Sequence, residues 1–244
     1  MSRFDLDVGR IPHIIYNMSR SISFSLNEYY HIYARGTEKR KIFIDKKDHD
    51  RFVALLFATN CKEVIHLSDY PRGFKKLFYI KRSKTLVDIG AYCLMPNHFH
   101  ILVREKEEGG TSRFMQKLMT GYTMYFNKKH QRVGALFSSK FKAEHANTDR
   151  YLKYLFSYIH LNPVKLIDPS WKERGIKNKM NTQKFLEEYT YSSFLDYYSV
   201  KENRPTSAII EKHVFPEYFK NGKEFIKEIF DWLSMSRSNL DNYN

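Results

Sequence analysis

The stretch "LMPNHFHILV", residues 94–103, sets a Pro-Asn pair between two apolar runs. Upstream, "KTLVDIGAYCLM" is rich in β-branched and aromatic residues with one internal glycine. Downstream, "HFHILVRE" alternates. Two such runs joined by turn residues predict an antiparallel hairpin. Side chains two apart on a strand share a face, so His98 and His100 point one way and Phe99 and Ile101 the other. Two imidazoles on one face have the geometry to hold one metal ion. They have equally the geometry of two hydrogen-bonded histidines on a half-exposed strand, and the pair alone does not choose.

Working outward, "YYHIYARG" from Tyr29 alternates and ends at Gly36, which predicts a strand running into a turn. "DKKDHDRFVALLFATN" opens on Asp45 and carries Phe52, Leu55 and Leu56 at helical spacing. After the hairpin, "GGTSRFMQKLMTGYTMYFNKKH" begins with a glycine pair and a Thr/Ser cap, and Phe114, Leu118, Tyr122 and Tyr125 recur as in a helix. "GALFSSKFKAEHA" reads as a strand. "NTDRYLKYLFSYIHLNP" has cap residues at Asn147 and Thr148 and must stop near Asn162, because Pro163 disfavours helix just before itself. The order β-α-β-β-α-β-α predicts an α+β fold, an antiparallel ferredoxin-like sheet with helices covering one face. "PSWKERGIKNKMNTQK" after Asp168 reads as a linker or loop. An aromatic-rich tail follows, with a short amphipathic helix at "EFIKEIFDWL". The predicted division is an N-terminal arm over 1–26, a core domain over 27–168 and a C-terminal extension over 169–244.

The chain has 244 residues, 42% of them hydrophobic, enough for a packed core. Two cysteines, Cys61 and Cys93, without paired spacing argue against a disulfide framework or a cysteine-rich zinc site. No segment approaches the ~20 apolar residues of a membrane span, and "RIPHIIYNMSRS" is too interrupted for a signal peptide. A cytoplasmic, nucleoid-associated protein is the expectation. Lys and Arg total 41 against 27 Asp and Glu, a net charge of +14, with 18 Tyr and 19 Phe. Cations neutralise phosphates and rings stack on unpaired bases, so nucleic acid is a natural partner. A basic surface over an aromatic core would give the same composition.

On the helix after Thr148, Tyr158 and Asn162 lie one turn apart on one face. Leu152, Leu155, Phe156 and Ile159 form the packed face. Arg150, Lys153, Ser157 and His160 fall on the polar side. Taken alone, Tyr158 reads as a core tyrosine and Asn162 as a cap.

The combination of "LMPNHFHILV" with "YIHLNPVK" about sixty residues later resembles the single-tyrosine His-hydrophobic-His (HUH) transposases, most of all the REP-associated tyrosine transposases. "YHIYARGTEKRKIF", "GALFSSKFKAEHA" and "YTYSSFLDYY" resemble further segments of that family in family order, over roughly residues 27–233. The resemblance implies an HUH endonuclease-like fold. It implies that His98, His100 and Asn162 hold a divalent ion, Mg²⁺ or Mn²⁺, and that Tyr158 is the nucleophile. The implied reaction cleaves single-stranded DNA, leaves a 5′-phosphotyrosine link and a free 3′-hydroxyl, and rejoins strands. The implied substrates are palindromic repeats folded as hairpins, and the protein would act as a homodimer or a monomer. Tyr191 stands where the family often has tryptophan, His160 where an acidic residue is common, and the arm has no counterpart. Tyr151 and Tyr154 are fallback nucleophiles without an amide one turn later.

Two other functions fit parts of the pattern: a non-cleaving nucleic-acid-binding protein on the same fold, and a metal hydrolase using the histidines and water. For DNA contact the candidates are Arg35, Lys39, Arg40 and Lys41 in the turn after the first strand, and Lys128, Lys129, Arg132, Lys140 and Lys142 further on. Lys81 and Lys84, before the hairpin, are also placed to touch phosphates.

Overall fold

The computed structural model describes residues 22–71, 73–82, 84–199 and 204–239. Most of the predicted arm, residues 1–21, lies outside the described residues. Strands β1 (Tyr29–Arg35), β2 (Val87–Met95), β3 (His98–Glu105) and β4 (Lys142–His145) form one sheet in the order β2-β3-β1-β4. Every neighbouring pair is antiparallel. With α1 (Lys46–Ala58) between β1 and β2, and α2 (Gly110–Lys129) between β3 and β4, this is the β-α-β-β-α-β split arrangement of a ferredoxin-like α+β fold. The hairpin is as predicted: Met95 pairs with His98 across Pro96-Asn97. The turn is held from outside, since Gly36 N–H donates to Asn97 O at 2.9 Å and Ile42 N–H to Pro96 O at 2.8 Å.

Alternation along the strands divides the molecule. Tyr30, Ile32, Phe99, Ile101 and Val103 face a core shared with Phe52, Leu56, Phe114, Leu118 and Tyr122 of α1 and α2. The other face is not left open, as the sequence suggested. It carries α3 (Asp149–Leu161), whose Leu152, Leu155, Phe156 and Ile159 pack with Ala91, Cys93, Met95 and Leu102. Coverage on both faces is why every residue of β2 is buried although it is the last strand of the sheet.

The helix ends show which local signals were decisive. At α1, Asp45 and Asp48 form a reciprocal capping box. At α3, Thr148 Oγ1 accepts from Tyr151 N–H at 3.2 Å, so Thr148 is the cap and Asn147 is not. At α2 the predicted Thr/Ser cap is replaced by a carboxylate from the preceding strand. Glu105, fully buried, accepts from Gly110 N–H at 3.0 Å, Thr111 N–H at 2.9 Å and the Thr111 hydroxyl. An anion at a helix N-terminus meets both the orphan donors and the helix dipole. The last strand is shorter than "GALFSSKFKAEHA" suggested. Only Lys142–His145 pair regularly, with an isolated bridge from Gly36 to Phe137.

The segment after Asp168 is not a loop. It forms α4 (Trp171–Arg174) and α5 (Lys179–Glu188), followed by α6 (Phe194–Tyr198) and α7 (Gly222–Asn239). Trp171, Leu186, Phe194, Phe225 and Ile229 build a third apolar cluster with Leu161 and Val164. The same extension covers the outer edge of β2. Leu94 N–H donates to Tyr191 O, Ser193 N–H to Tyr92 O and Glu211 N–H to Ile89 O, each at 2.9–3.0 Å. An unpaired strand edge is thereby used up internally. Gly90 sits at the register shift in β2, and a Cβ there would lie 2.6 Å from the Phe215 ring that packs over it.

Candidate active site

The polar line on the α3 face of the sheet comes from three strands. The register sets Arg35 opposite His98, Tyr33 opposite His100, and His31 opposite Glu144. His98 and His100 lie edge to face with ring centroids 5.0 Å apart. From α3, the Tyr158 ring stands 5.4 Å from the His100 ring, edge to face. Asn162 begins the 3₁₀ turn that follows α3 but keeps helical backbone angles (φ −54°, ψ −39°), which leaves it in phase with Tyr158. Its amide Nδ2 lies 3.4 Å from His100 Nε2. The four residues named from the sequence thus converge from two elements about sixty residues apart.

Burial controls their protonation. It pushes His98 down to about 3, assisted by Arg35, Lys165 and Lys172, and holds His100 well below the usual imidazole range. Both rings are therefore neutral at pH 7 and carry a lone pair. Burial pushes the Tyr158 phenol up to about 12, against the opposing effects of the Asn162 amide and Arg35. The fallback tyrosines are differently engaged. Tyr151 Oη donates to Glu144 Oε2 at 2.9 Å, and Tyr154 stacks on Tyr158 with centroids 5.8 Å apart.

Three neighbours escaped the sequence reading. Lys172, from the supposed linker, sets its ammonium 4.3 Å from the centroid of the Tyr158 ring, and burial lowers it to about 8. His31 Nε2 lies 2.8 Å from His100 Nδ1. Glu144 receives the hydroxyls of Tyr33 and Tyr151, each at 2.9 Å. A "YHIY" strand signal existed for His31, but nothing local marked the other two.

His160 does not face solvent. It is fully buried, Nε2 2.8 Å from Ser193 Oγ and Nδ1 2.8 Å from Phe156 O, and burial pushes it down to about 3. Ser157 is buried too, and Lys153 pairs with Glu228 of α7 at 2.6 Å. Of the side of α3 that reads as polar, Arg150 is exposed, while the stretch from Lys153 to His160 meets the C-terminal extension.

The basic residues are scattered. Arg35 adjoins the histidines, and Asn97, next to His98, donates to Lys39 O at 3.2 Å. Lys39, Lys41, Lys128, Lys140 and Lys142 are exposed. Arg40 pairs with Glu38, and Arg132 leans on Phe126 and Asn127 at its own helix end. Lys129 is committed to Asp45 and Asp48 at 2.6 and 2.7 Å, which makes it a brace between α1 and α2. Among the described residues, no group of three His, Cys, Asp or Glu side chains is placed to hold a metal. Beside the two imidazoles stands the Asn162 amide, 3.4 Å from His100 Nε2.

The family model described as "Transposase IS200 like" matches residues 25–162, more than half of the chain. The chain belongs to that transposase family. A solved structure of a REP-associated tyrosine transposase bound to a REP hairpin is similar at 12% identity and a TM-score of 0.48, over 76% of this chain and 87% of that one. A comparison with curated proteins finds no match.

Proposed function

We propose that this transposase cleaves and rejoins single-stranded DNA through a covalent bond to Tyr158, with a divalent ion, Mg²⁺ or Mn²⁺, held by His98, His100 and Asn162. The observation that carries the reading is the convergence of a buried tyrosine, two neutral imidazoles and an amide, with Arg35, Lys165 and Lys172 close by. The donor set fits an open divalent site. Both imidazoles are neutral, the amide can offer its oxygen, and phosphate oxygens and water would supply the rest of the ion's ligands. A bound ion would supply Lewis-acid polarisation of the scissile phosphate.

The chain's own groups do the rest. Tyr158 Oη gives up its proton and bonds to phosphorus. The P–O3′ bond breaks, and the leaving oxygen takes up a proton to become a 3′-hydroxyl. The DNA 5′-phosphate is then esterified to tyrosine, which conserves the bond for rejoining by a later 3′-hydroxyl. Lys172, over the ring, stabilises the negative charge that develops on the phenol oxygen, and Arg35 and Lys165 favour the phosphate nearby. Since Lys172 comes from α4, the extension over 169–244 is part of the working site, alongside the catalytic unit over 27–168. Unpaired or hairpin DNA is the substrate this arrangement suits, because a buried phenol is reached more easily by a flexible single strand than by a stiff duplex. Arg35, Lys39 and Arg40 border the site, with Lys140 and Lys142 as outer phosphate contacts. The protein would work in the cytoplasm at the nucleoid. Among the described residues no helix is long and apolar enough to cross a membrane.

The test uses hairpin oligonucleotides labelled at either end, incubated with Mn²⁺ or with EDTA. The label on the 3′ side of the cut should move with the protein and the 5′-side label should appear as a free strand ending in a 3′-hydroxyl. The opposite polarity, or cleavage with both products free, would contradict the reading.

A further inference from the structure

His31 poses a separate question. It is a fully buried imidazole on β1, and its Nδ1 has no hydrogen-bonding partner within bonding distance. The nearest group is the Glu144 carboxylate, 3.7 Å away, on the strand paired with it. On its other side, Nε2 meets His100 Nδ1 at 2.8 Å, with the rings nearly parallel at 18°. A polar side chain buried without full satisfaction is costly, and such groups are often retained for what they position.

The directions of these contacts follow from one end to the other. Glu144 only accepts, so the His31 nitrogen facing it is favoured as the N–H. A lone pair there would oppose a carboxylate. His31 then presents its Nε2 lone pair to His100, whose Nδ1 must carry the proton. That leaves a lone pair on His100 Nε2. In the metal-free protein the Asn162 amide, whose Nδ2 lies 3.4 Å away, can donate to it. The reverse order would leave an N–H on His100 Nε2, which cannot bind a cation, and would aim a lone pair at Glu144.

We propose that Glu144 and His31 form a positioning relay that locks His100 in the Nδ1–H tautomer, so that its Nε2 lone pair is permanently aimed at the metal position beside Asn162. The proposal rests on the metal-site reading above. Ligating histidines are commonly oriented by a carboxylate or carbonyl on the second nitrogen. Here the carboxylate acts at one remove, through another imidazole. The Tyr33 and Tyr151 hydroxyls anchor the carboxylate by donating to its two oxygens. The relay spans β4, β1 and β3, so the register of three strands fixes one lone pair.

Two measurements test it. The first is long-range ¹H–¹⁵N correlation on metal-free protein carrying ¹⁵N-histidine. His100 should show a protonated Nδ1 and a pyridine-like Nε2, and Glu144→Ala should shift it toward a mixture. An Nε2–H tautomer in the wild type would overturn the relay. The second is Mn²⁺ titration followed by electron paramagnetic resonance. Glu144→Ala and His31→Phe should bind about 10–100-fold more weakly than wild type. Glu144 lies on the edge strand, so its variant tests the relay even where His31→Phe fails to fold. Equal Mn²⁺ affinity in wild type and in folded Glu144→Ala, with His100 unchanged, would overturn the relay alone. A wild type that binds no Mn²⁺ would overturn the metal-site reading, and the relay's purpose with it.

Discussion

Tyr158 is a poor nucleophile as it stands, because burial pushes its phenol up to about 12 and leaves almost no phenolate at pH 7. Lys172, lowered to about 8, sets its ammonium over the tyrosine ring. The rate of adduct formation should therefore rise with pH as phenolate accumulates, then level above about 8 as Lys172 loses its proton. In Lys172→Met the rate at neutral pH should drop about 100-fold, on the scale of losing one transition-state donor, and the rise should continue past 8. Single-turnover rates across pH would check both features. His160 gives a second pH dependence, in stability. Its folded pKa is depressed, so the unfolded chain binds a proton that the folded chain refuses. Stability is full above about 6.5 and falls by about 1.4 kcal/mol per pH unit from there down toward about 3. Urea titrations at pH 7.5 and 5.5 should show the loss, and His160→Asn should make it shallower.

Within single elements, the legible residues were those whose meaning is local. His98 and His100 are two apart on a strand, and Tyr158 and Asn162 four apart on a helix, so period alone placed each pair on one face. His31, Glu144 and Lys172 reach the site only through strand register and the fold-back of α4, and no local period encodes that. His160 was misplaced for the complementary reason. A helix face can be read as polar, but what later covers it cannot. α5 was missed because only Thr182 and Leu186 are buried along it, too few to print an apolar period, although Asn178 caps it from Asn181 N–H at 3.0 Å. At α2 the cap comes from β3. Glu105→Ala should leave the buried Gly110 and Thr111 donors unpaired and cost about 3 kcal/mol, measurable by denaturant unfolding.

At the scale of the whole molecule, the sheet and its helices were expected, and the split β-α-β-β-α-β order followed from element sequence alone. The role of the extension was not. Tyr191, Ser193 and Glu211 pair with the edge of β2, and α4 to α7 cover Leu161 and Val164. Truncation after Asp168 should therefore expose a buried strand edge and an apolar surface together. The shortened chain should aggregate or melt well below the full chain, which light scattering and thermal unfolding would detect. A shortened chain of undiminished stability would show the extension to be dispensable for the fold.

The proposed chemistry depends on Tyr158 Oη as the atom that bonds to DNA. The most direct measurement is a denaturing gel of wild type and Tyr158→Phe incubated with a labelled single-stranded hairpin, each with Mn²⁺ and with EDTA. A labelled band at the mass of protein plus DNA should appear only for wild type with Mn²⁺. Adduct persisting in Tyr158→Phe would assign the chemistry to another residue. Tight hairpin binding by wild type without adduct or cleavage would make the protein a binder on a transposase fold.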